Sequence, residues 1–416
     1  MRGHVEVYRR RDLLIYLGVR FLSEAAALAQ SVAIGWTIYS LSDTPLSLGI
    51  VGIVQYIPMM LLTLPAGELC DRFSPLPLAA AGLALQCLCA GAFLGLSLFQ
   101  VSILWPFYGV LLLLGSARAL ADPAGQALLP FLVPPEQLPR AIAASSSAWQ
   151  TAVIAGPALG GLSYALGASV AYAGSGLAFL TAIAGLATLG GHKPAPVLTT
   201  VSSGRIARIV EGIEFIRSQP IVLGAISLDL FAVLFGGATA LLPIYARDIL
   251  NVGPVGLGML RSAPAAGACI VAFLQTRYPP NRRVGVKLFS AVAVFGVATV
   301  VFALSRSFGT SLGALVVIGA SDMVSVNIRS SLVQLATPDA MRGRVSAVNM
   351  LFIGASGELG AFESGVAASM FGTVESVVLG GIGTLLVVAV WMATFPALRN
   401  ADRVLHSNQH RPESVI

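Results

Sequence analysis

Charged residues are scarce in this chain of 416 amino acids. Aspartate, glutamate, lysine and arginine together make up 11% of it, whereas an ordinary soluble domain carries about 25%. Hydrophobic residues account for 56%, and the mean hydropathy is +0.83. A soluble fold of this length has too little interior to hide so much apolar surface. The composition therefore excludes an ordinary soluble domain and indicates a protein that is dissolved in a lipid bilayer.

Cysteine and histidine are also rare, with four of each. The cysteines lie inside or at the end of apolar runs, and none has metal-ligand spacing to a histidine, so we interpret them as packing residues without disulfides. All four histidines lie outside the apolar runs, which argues against metal catalysis in the membrane. The phosphate-binding pattern Gly-x-x-x-x-Gly-Lys-Ser/Thr does not occur. We expect no metal, no cofactor and no enzymatic activity.

Lysine is nearly absent, since only Lys193 and Lys287 occur. The net charge of +6 therefore comes from arginine. A basic balance can indicate nucleic-acid binding, but these bases sit in short loops between apolar runs and do not form one basic face. We expect no nucleic-acid partner.

Twelve apolar runs are long enough to cross a bilayer as helices, which takes about 20 residues each. No small-residue cleavage site ends the first run, so we expect that run to be retained. The chain is predicted to be an all-α integral membrane protein. The predicted spans cover residues 13–39, 48–69, 77–98, 103–129, 141–163, 170–189, 221–246, 255–275, 286–304, 309–335, 344–368 and 376–395.

The basic residues predict the orientation of these spans, because cytoplasmic loops carry an excess of lysine and arginine. Nineteen of the 25 basic residues fall in the tails and loops of one side, and only Arg247 and Arg306 fall on the other. We therefore expect a multi-pass protein of the bacterial cytoplasmic (inner) membrane with both termini in the cytoplasm. The remaining four bases lie within spans and are Arg20, Arg118, Arg261 and Arg329.

The longest link between spans divides the chain into two halves. Within it, apolar residues recur at helical spacing between Ile206 and Ile216, with charged residues between them, which is typical of an amphipathic helix on a membrane surface. The predicted organisation is a six-helix bundle over 1–190, a cytoplasmic linker over 191–220, a second six-helix bundle over 221–396 and a cytoplasmic tail over 397–416.

The two halves repeat one motif. The segment AGPALGGL at 155–162 matches ASGELGAF at 355–362, two hundred residues later. Duplicated halves are typical of transporters that hold their substrate at the bilayer midplane, where the halves meet. Chance matching of glycine and alanine in apolar helices is the alternative explanation.

The link after the second span reads GELCDRF, from Gly67 to Phe73. It resembles the signature Gly-x-Leu-Ala-Asp-Arg-x-Gly-Arg-Arg/Lys of the major facilitator superfamily, although Ser74, Pro75 and Leu76 depart from its second half. The resemblance implies two pseudo-symmetric bundles of six helices and a cytoplasmic gate in which the acid latches the halves together. The gate residues are Gly67, Asp71, Arg72 and Asp122, with Arg72 and Asp122 as a hypothetical ion pair.

The segment GPALGG in the fifth predicted span is similar to a Gly-Pro-x-x-Gly-Gly element of the antiporter branch. Its defining residues here are Gly156, Pro157, Gly160 and Gly161. Together with the preceding residues 121–141, it resembles the macrolide-efflux and enterobactin-exporter branch. The resemblance implies an exporter driven by the proton gradient, which usually works as a monomer.

Ionisable residues deep in a span are costly and usually face a cavity or a partner. They are either structural ion pairs or groups that bind and release protons during transport, because burial raises the pKa of a carboxyl and a nearby arginine lowers it. The candidates for proton coupling are Glu24, Asp229, Asp322 and Glu358, together with Arg118, which holds the position of an arginine that the family associates with coupling. Further candidate cavity charges are Arg20, Arg261, Arg329 and Glu363.

A substrate cavity also needs apolar, aromatic and hydrogen-bonding walls. Any one of the available side chains is equally a packing residue or an interfacial anchor. The candidates for the cavity wall are Trp36, Gln55, Tyr56, Phe231, Phe235 and Asn327.

These features predict a secondary transporter that exports amphipathic small molecules, such as drugs or siderophores, by alternating access in exchange for protons. The expected partners are the small-molecule substrate, protons and the lipid bilayer. One alternative is an importer or a lipid or lysolipid flippase of the same fold. A more distant alternative is a polytopic membrane enzyme or scaffold, against which the duplicated halves argue.

Overall fold

A computed structural model describes residues 2–189, 205–278 and 282–401. All regular secondary structure in these ranges is helical. The helices of the first half are α1 Arg2–Ser42, α2 Pro45–Arg72, α3 Pro75–Leu98, α4 Leu104–Leu132, a 3-10 turn at Pro135–Gln137, α5 Leu138–Ala165 and α6 Ala168–Thr188. They are followed by α7 Arg205–Ser218, α8 Pro220–Phe235, α9 Leu242–Ile244, α10 Gly253–Arg277, α11 Val284–Leu304, α12 Phe308–Ala336, α13 Asp339–Phe371, α14 Thr373–Thr394 and α15 Pro396–Arg399.

Ten of these segments are long and apolar enough to cross a membrane. They comprise α2, α3, α4 and α6 in the first half and all the long helices from α8 to α14 in the second. Helices α1 and α5 are long enough as well, with 41 and 28 residues, but their polar residues lower the hydropathy. The all-helical fold is confirmed, and the count of twelve spans stays a prediction that this architecture fits.

Proline starts helices and also lies inside them. Pro45, Pro75 and Pro220 are at the beginning of α2, α3 and α8, where the missing N–H is not needed. Helices α5 and α10 continue through Pro157 and Pro264, as membrane helices can when neighbouring helices satisfy the freed backbone groups.

The predicted seventh span, 221–246, is not one continuous helix. Helix α8 ends at Phe235 and is followed by a 3-10 segment at Gly237–Leu241, the short α9 and a π-helical segment at Tyr245–Ile249. The break follows Phe235, and a β-carbon added to Gly237 would lie 2.4 Å from the carbonyl oxygen of Gly360 in α13. A side chain at residue 237 would therefore clash with α13, a contact that the apolar pattern does not reveal.

The chain forms two compact units. The first combines residues 1–200 with 240–262, and the second combines 201–239 with 263–416. In the first unit α1 packs against α5 and α6, while α4 packs against α2 and α3. Residues 240–262, which the sequence assigns to the second bundle, pack in the first unit.

In the second unit α11 packs against α12 and α14, and α8 packs against α13 and α14. Helix α7, the predicted amphipathic linker helix, packs against α13. Arg344 of α13 forms a 2.8 Å ion pair with Glu211 of α7. A helix thus covers residues 205–218 of the predicted linker, whereas its residues 191–204 lie outside the described ranges.

Equivalent loops of the two halves share the same unusual backbone. Asp43 after α1 and Asn251 before α10 both have a positive φ, of 50° and 53°. Gly167 between α5 and α6 and Gly372 between α13 and α14 have φ values of 134° and 99°, which favour glycine. The loops that end the first and fifth helices of each half are therefore built alike, which supports duplication.

The repeated sequence motif also has the same packing role in each half. A β-carbon on Gly160 of α5 would lie 2.5 Å from the carbonyl oxygen of Ala29 in α1. A β-carbon on Gly360 of α13 would lie 2.9 Å from that of Leu234 in α8. In both halves the motif glycine lets the fifth helix approach the first helix closely, which chance matching would not explain.

Candidate functional site

A polar pocket lies within the first unit, between α1, α3, α4 and α6. We call it the N-half pocket. Its volume of ≈ 50 Å³ is enough for a few water molecules, since one water needs about 10–15 Å³. Its polar lining residues are Tyr16, Arg20, Ser23, Glu24, Gln86, Arg118 and Asp122.

Two carboxylates and two guanidinium groups face one another across this pocket. Glu24 interacts electrostatically with Arg118, Asp122 and Arg20, and Asp122 interacts with the same two arginines. In the described ranges, however, these four side chains form no direct ion pair with one another. Burying charges is costly unless they are paired or hydrogen-bonded. The four charges balance in sum, but their positions leave polar groups available to a proton, water or ligand.

The remaining contacts of the N-half pocket show which groups are already used. The Trp149 side chain interacts with Glu24, and the Tyr16 hydroxyl donates to the Gly125 carbonyl at 3.1 Å. By contrast, Arg20 Nε is buried and makes no hydrogen bond. Gln86 is 4% exposed and has no hydrogen-bond partner among the described residues. The pocket therefore retains unused hydrogen-bonding capacity beside its four charges.

A second polar pocket lies within the second unit, between α8, α11 and α12, and we call it the C-half pocket. It has a volume of ≈ 10 Å³. Arg329 Nη1 donates to Asp229 Oδ1 in an ion pair whose side chains are 5% and 8% exposed. Its lining residues are Asp229, Ala232, Val233, Val292, Phe295, Ser321, Asp322 and Ser325.

The two pockets occupy equivalent places in the duplicated fold. The N-half pocket involves the first, third and fourth helices of its half, and the C-half pocket involves the helices with the same ordinal positions in the second half. Their charges differ, because two acids face two arginines in the first pocket, whereas two acids share Arg329 in the second. Sequence analysis identified these ionisable residues one by one but did not predict that they gather in two matching pockets.

The end of α1 forms a further charged cluster within the first unit. The Tyr39 hydroxyl donates to Asp248 Oδ2, and Arg247 Nη1 pairs with Asp43 Oδ1 at 2.6 Å. The Arg247 guanidinium also lies 5.3 Å from the centre of the Tyr39 ring. We call this group the α1 latch, since it ties residues 245–249 to the end of α1. Nothing in the one-dimensional pattern pointed to it, because its members lie more than two hundred residues apart.

The antiporter-type element lies where α5 contacts α1 and α10. Gly160 meets α1, as described above, while a β-carbon on Gly161 would lie 2.5 Å from the Pro254 carbonyl oxygen. A β-carbon on Gly258 of α10 would in turn lie 2.5 Å from the Pro157 carbonyl oxygen. The element thus acts as a packing surface for two helices of the first unit, and Gly156 adds a close approach to Ala25.

The predicted cytoplasmic gate motif lies in the last turns of α2. Arg72 is exposed at the end of this helix, and the Asp71 side chain lies outside the described residues. Asp122 lines the N-half pocket instead of pairing with Arg72, and its electrostatic partners are Arg118 and Arg20. The structure does not bring the two members of the hypothetical Arg72–Asp122 pair together.

The other candidate charges lie outside both pockets. Arg261 Nη1 donates to Ser31 Oγ at 2.8 Å within the first unit. Glu358 and Glu363 of α13 are half-buried and line neither the N-half nor the C-half pocket.

The candidate wall residues have various surroundings. The ring centres of Trp36 and Tyr164 are 6.4 Å apart. Gln55 and Tyr56 are half-buried in α2. Phe231 lies 5.2 Å from the Trp391 ring, and it belongs with Phe235 to the partly buried rim of the apolar core of the second unit. Asn327 donates to Gln275 Oε1. The two phenylalanines thus have packing partners within their own unit.

Comparisons with known proteins agree on a transporter. Residues 14–416 match a family model described as transmembrane secretion effector. The chain is 26% identical over 411 residues to the multidrug efflux pump Tap of Mycolicibacterium fortuitum, covering 95% of this chain and 98% of that protein. It is 26% identical over 316 residues to the uncharacterized MFS-type transporter YvqJ of Bacillus subtilis strain 168, covering 73% and 72%.

The fold is shared with solved transporters. The chain superposes on a crystal structure of a mutant nucleoside transporter NupG with a TM-score of 0.75 and 14% sequence identity. The match covers 92% of this chain and 100% of the NupG chain. At this identity the likeness shows the fold alone.

Proposed function

Because the chain belongs to the transmembrane secretion effector family of the major facilitator superfamily, we propose that it exports amphipathic small molecules in exchange for protons. Membership confirms the family resemblance predicted from the Asp71 motif. The chain is accordingly a multi-pass membrane transporter, and its relatives are transporters rather than enzymes. The substrate class, the coupling ion and the direction are our proposal, supported by the similarity to the efflux pump Tap.

The observation that carries the proposal is the N-half pocket. Glu24 and Asp122 face Arg20 and Arg118 without forming direct ion pairs in the described ranges. Protonation of one carboxylate would leave an excess positive charge, and loss of that proton would restore balance. Such a pocket can link proton binding to the position of α1 and α4, because each state favours a different spacing of the charges.

Transport by this scheme alternates between two accessible sides. A proton that enters on Glu24 or Asp122 shifts the equilibrium towards one side, and a cationic or amphipathic substrate favours the state without that proton. Energetic coupling of 1–3 kcal/mol, which corresponds to about 5–150-fold in affinity, is typical of linked sites. The proposal needs no cofactor other than the proton gradient, and it places a monomer in the bacterial inner membrane with both termini in the cytoplasm.

The proposal is tested with purified protein in proteoliposomes and ethidium as the amphipathic probe. An imposed pH gradient should drive ethidium against its concentration gradient, from the alkaline to the acidic compartment, and a protonophore should stop this movement. Protein-free liposomes provide the control for leakage. Ethidium movement that ignores the pH gradient would contradict proton-driven export, and net movement with the protons would favour an importer of the same fold.

A further inference from the structure

We propose that the C-half pocket binds a single sodium ion between the Asp322 carboxylate and the hydroxyl groups of Ser321 and Ser325. This inference goes beyond the proposed function, which rests on the N-half pocket. It depends on the charge, the unused oxygen atoms and the size of the C-half pocket.

The charge of the C-half pocket is not balanced. Arg329, its single basic partner among the described residues, already pairs with Asp229 in a buried ion pair. Asp322 forms no ion pair within the described ranges, although it interacts electrostatically with both Asp229 and Arg329. The other lining residues are apolar or are serines. One negative charge therefore remains, and a buried charge without a counterion is costly.

The two serines provide oxygen atoms that nothing else uses. Ser321 and Ser325 are 7% and 4% exposed, and neither makes a hydrogen bond in the described part of the chain. Serine within a helix usually donates to the carbonyl four residues earlier, as Ser331 does to Asn327 at 2.8 Å on the same helix. Ser321 and Ser325 make no such bond and lie beside a carboxylate, so their hydroxyl oxygens are available to coordinate a bound ion.

Ser321, Asp322 and Ser325 of α12 all line the C-half pocket. Ser325 follows Ser321 by four residues and Asp322 by three, and such residues are neighbours on a helix surface. Arg329 follows Ser325 by another four residues and reaches Asp229 of α8. One turn of α12 thus provides a carboxylate and two hydroxyls, and the next turn closes the site with the ion pair.

The volume of the C-half pocket limits which ion can bind there. Its ≈ 10 Å³ admit about one water-sized particle, which excludes an organic cation or a hydrated divalent ion. Hard cations prefer oxygen ligands, and divalent ions usually take several carboxylates or keep several waters. A single free carboxylate with two hydroxyls matches a small monovalent cation in both charge and ligand type.

The experiment measures binding of radioactive sodium to the full-length protein in detergent at about pH 8, where carboxylates of ordinary acidity are ionised. We expect one sodium ion per chain, competed by lithium better than by potassium. Asp322→Asn should abolish binding, and Ser325→Ala should weaken it about tenfold, which corresponds to about 1.4 kcal/mol. Ser311→Ala is the matched control on α12, because Ser311 is buried outside the pocket and its loss should leave binding unchanged.

A second readout keeps the test independent of these variants. Trp391 is the one tryptophan in the second half of the sequence. Its indole donates to Ser227 of α8 at 3.0 Å, and Ser227 precedes Asp229 by two residues. In a variant with Trp36, Trp105 and Trp149 changed to phenylalanine, sodium but not choline should change the Trp391 fluorescence.

Three results would overturn the inference: no sodium binding by the wild type, binding that survives Asp322→Asn, or potassium binding tighter than sodium. Proton-driven ethidium transport measured on the same preparation distinguishes this failure from failure of the proposed function. Intact transport without sodium binding would leave the export proposal standing and remove only the sodium site.

Discussion

At the residue scale, the pair of Asp229 and Arg329 is the most deeply buried ion pair among the described residues. Both side chains are more than nine-tenths buried. Asp229→Asn removes the carboxylate that pairs with the buried Arg329 guanidinium, and breaking a buried pair in this way typically costs about 3–5 kcal/mol. We predict a large drop in the thermal unfolding midpoint in detergent.

The matched control is the exposed pair of Asp339 and Arg342, whose atoms are 2.7 Å apart with side chains 87% and 54% exposed. Asp339→Asn should hardly move the midpoint, because exposed pairs contribute about 0–1 kcal/mol. Equal shifts in the two variants would mean that burial does not set the importance of the Asp229 pair.

The carboxylates of the N-half pocket give a second residue-scale prediction. Glu24→Gln and Asp122→Asn should each reduce uphill ethidium transport by about tenfold or more, within the usual range of coupling energies. Downhill ethidium exchange should persist, because the amide keeps the shape of the side chain but cannot exchange a proton. Comparing uphill with downhill rates in proteoliposomes separates lost coupling from lost folding.

Glu136→Gln is the control for these variants, since Glu136 is exposed in the 3-10 turn before α5. It should retain both rates. Full uphill transport in both pocket variants would remove the N-half pocket from the coupling mechanism.

Sequence reasoning at this scale identified residues but not their partners. Helical spacing correctly placed Arg20 with Glu24, and Arg118 with Asp122, on common faces. That the two faces meet depends on the packing of α1 and α4, which one sequence does not reveal. For the same reason the Tyr39–Asp248 contact of the α1 latch could not be predicted, and Gln86 gave no signal because a lone glutamine is uninformative.

At the scale of elements, the repeated glycines set how closely helices approach. Gly160→Val should destabilise the first unit by about 1–3 kcal/mol, the usual cost of overpacking, because α5 contacts the α1 backbone there. Thermal unfolding in detergent measures the effect. Gly174→Val in α6 is the control, since no atom lies within 4 Å of its added β-carbon; comparable losses in both variants would refute the packing role of Gly160.

Element boundaries were predicted well where apolar runs end at polar or proline-containing links, as at α3, α11 and α14. The predicted seventh span agrees in extent with the apolar segment Pro220–Ile249, but its regular α-helix ends at Phe235. Helix α13 approaches the break closely at Gly237, and hydropathy contains no information about a contact of this kind.

At the scale of the whole molecule, alternating access requires contacts that form in one state and break in another. The α1 latch is weak enough to form and break in this way. The side chains of Arg247 and Asp43 are 35% and 69% exposed, and an exposed ion pair contributes at most about 1 kcal/mol. Tyr39→Phe combined with Arg247→Gln should therefore change the conformational equilibrium by up to about fivefold with little loss of stability.

This prediction is measured by maleimide labelling of Ser31→Cys in a variant without the natural cysteines. Ser31 accepts a hydrogen bond from Arg261, so its labelling rate should rise when residues 240–262 leave α1 more often. Gln137→Cys, in the exposed turn before α5, should label at an unchanged rate. An unchanged rate at residue 31 would show that the α1 latch does not control access.

The duplicated architecture was predictable from the motif pair at 155–162 and 355–362, and the matching loops and glycine contacts support it. The difference in charge between the pockets of the two halves was not predictable, because it depends on which side chains share a pocket. A balanced pocket in one half and a pocket with one excess acid in the other suit two different ions, and this asymmetry underlies both proposals.

The most direct measurement records lumenal pH while ethidium leaves preloaded proteoliposomes without an imposed pH gradient. If export is exchanged for protons, a pH dye trapped in the lumen should report acidification that follows ethidium loss and is absent in Glu24→Gln vesicles. Ethidium that leaves through the wild-type protein while lumenal pH stays constant would contradict proton exchange.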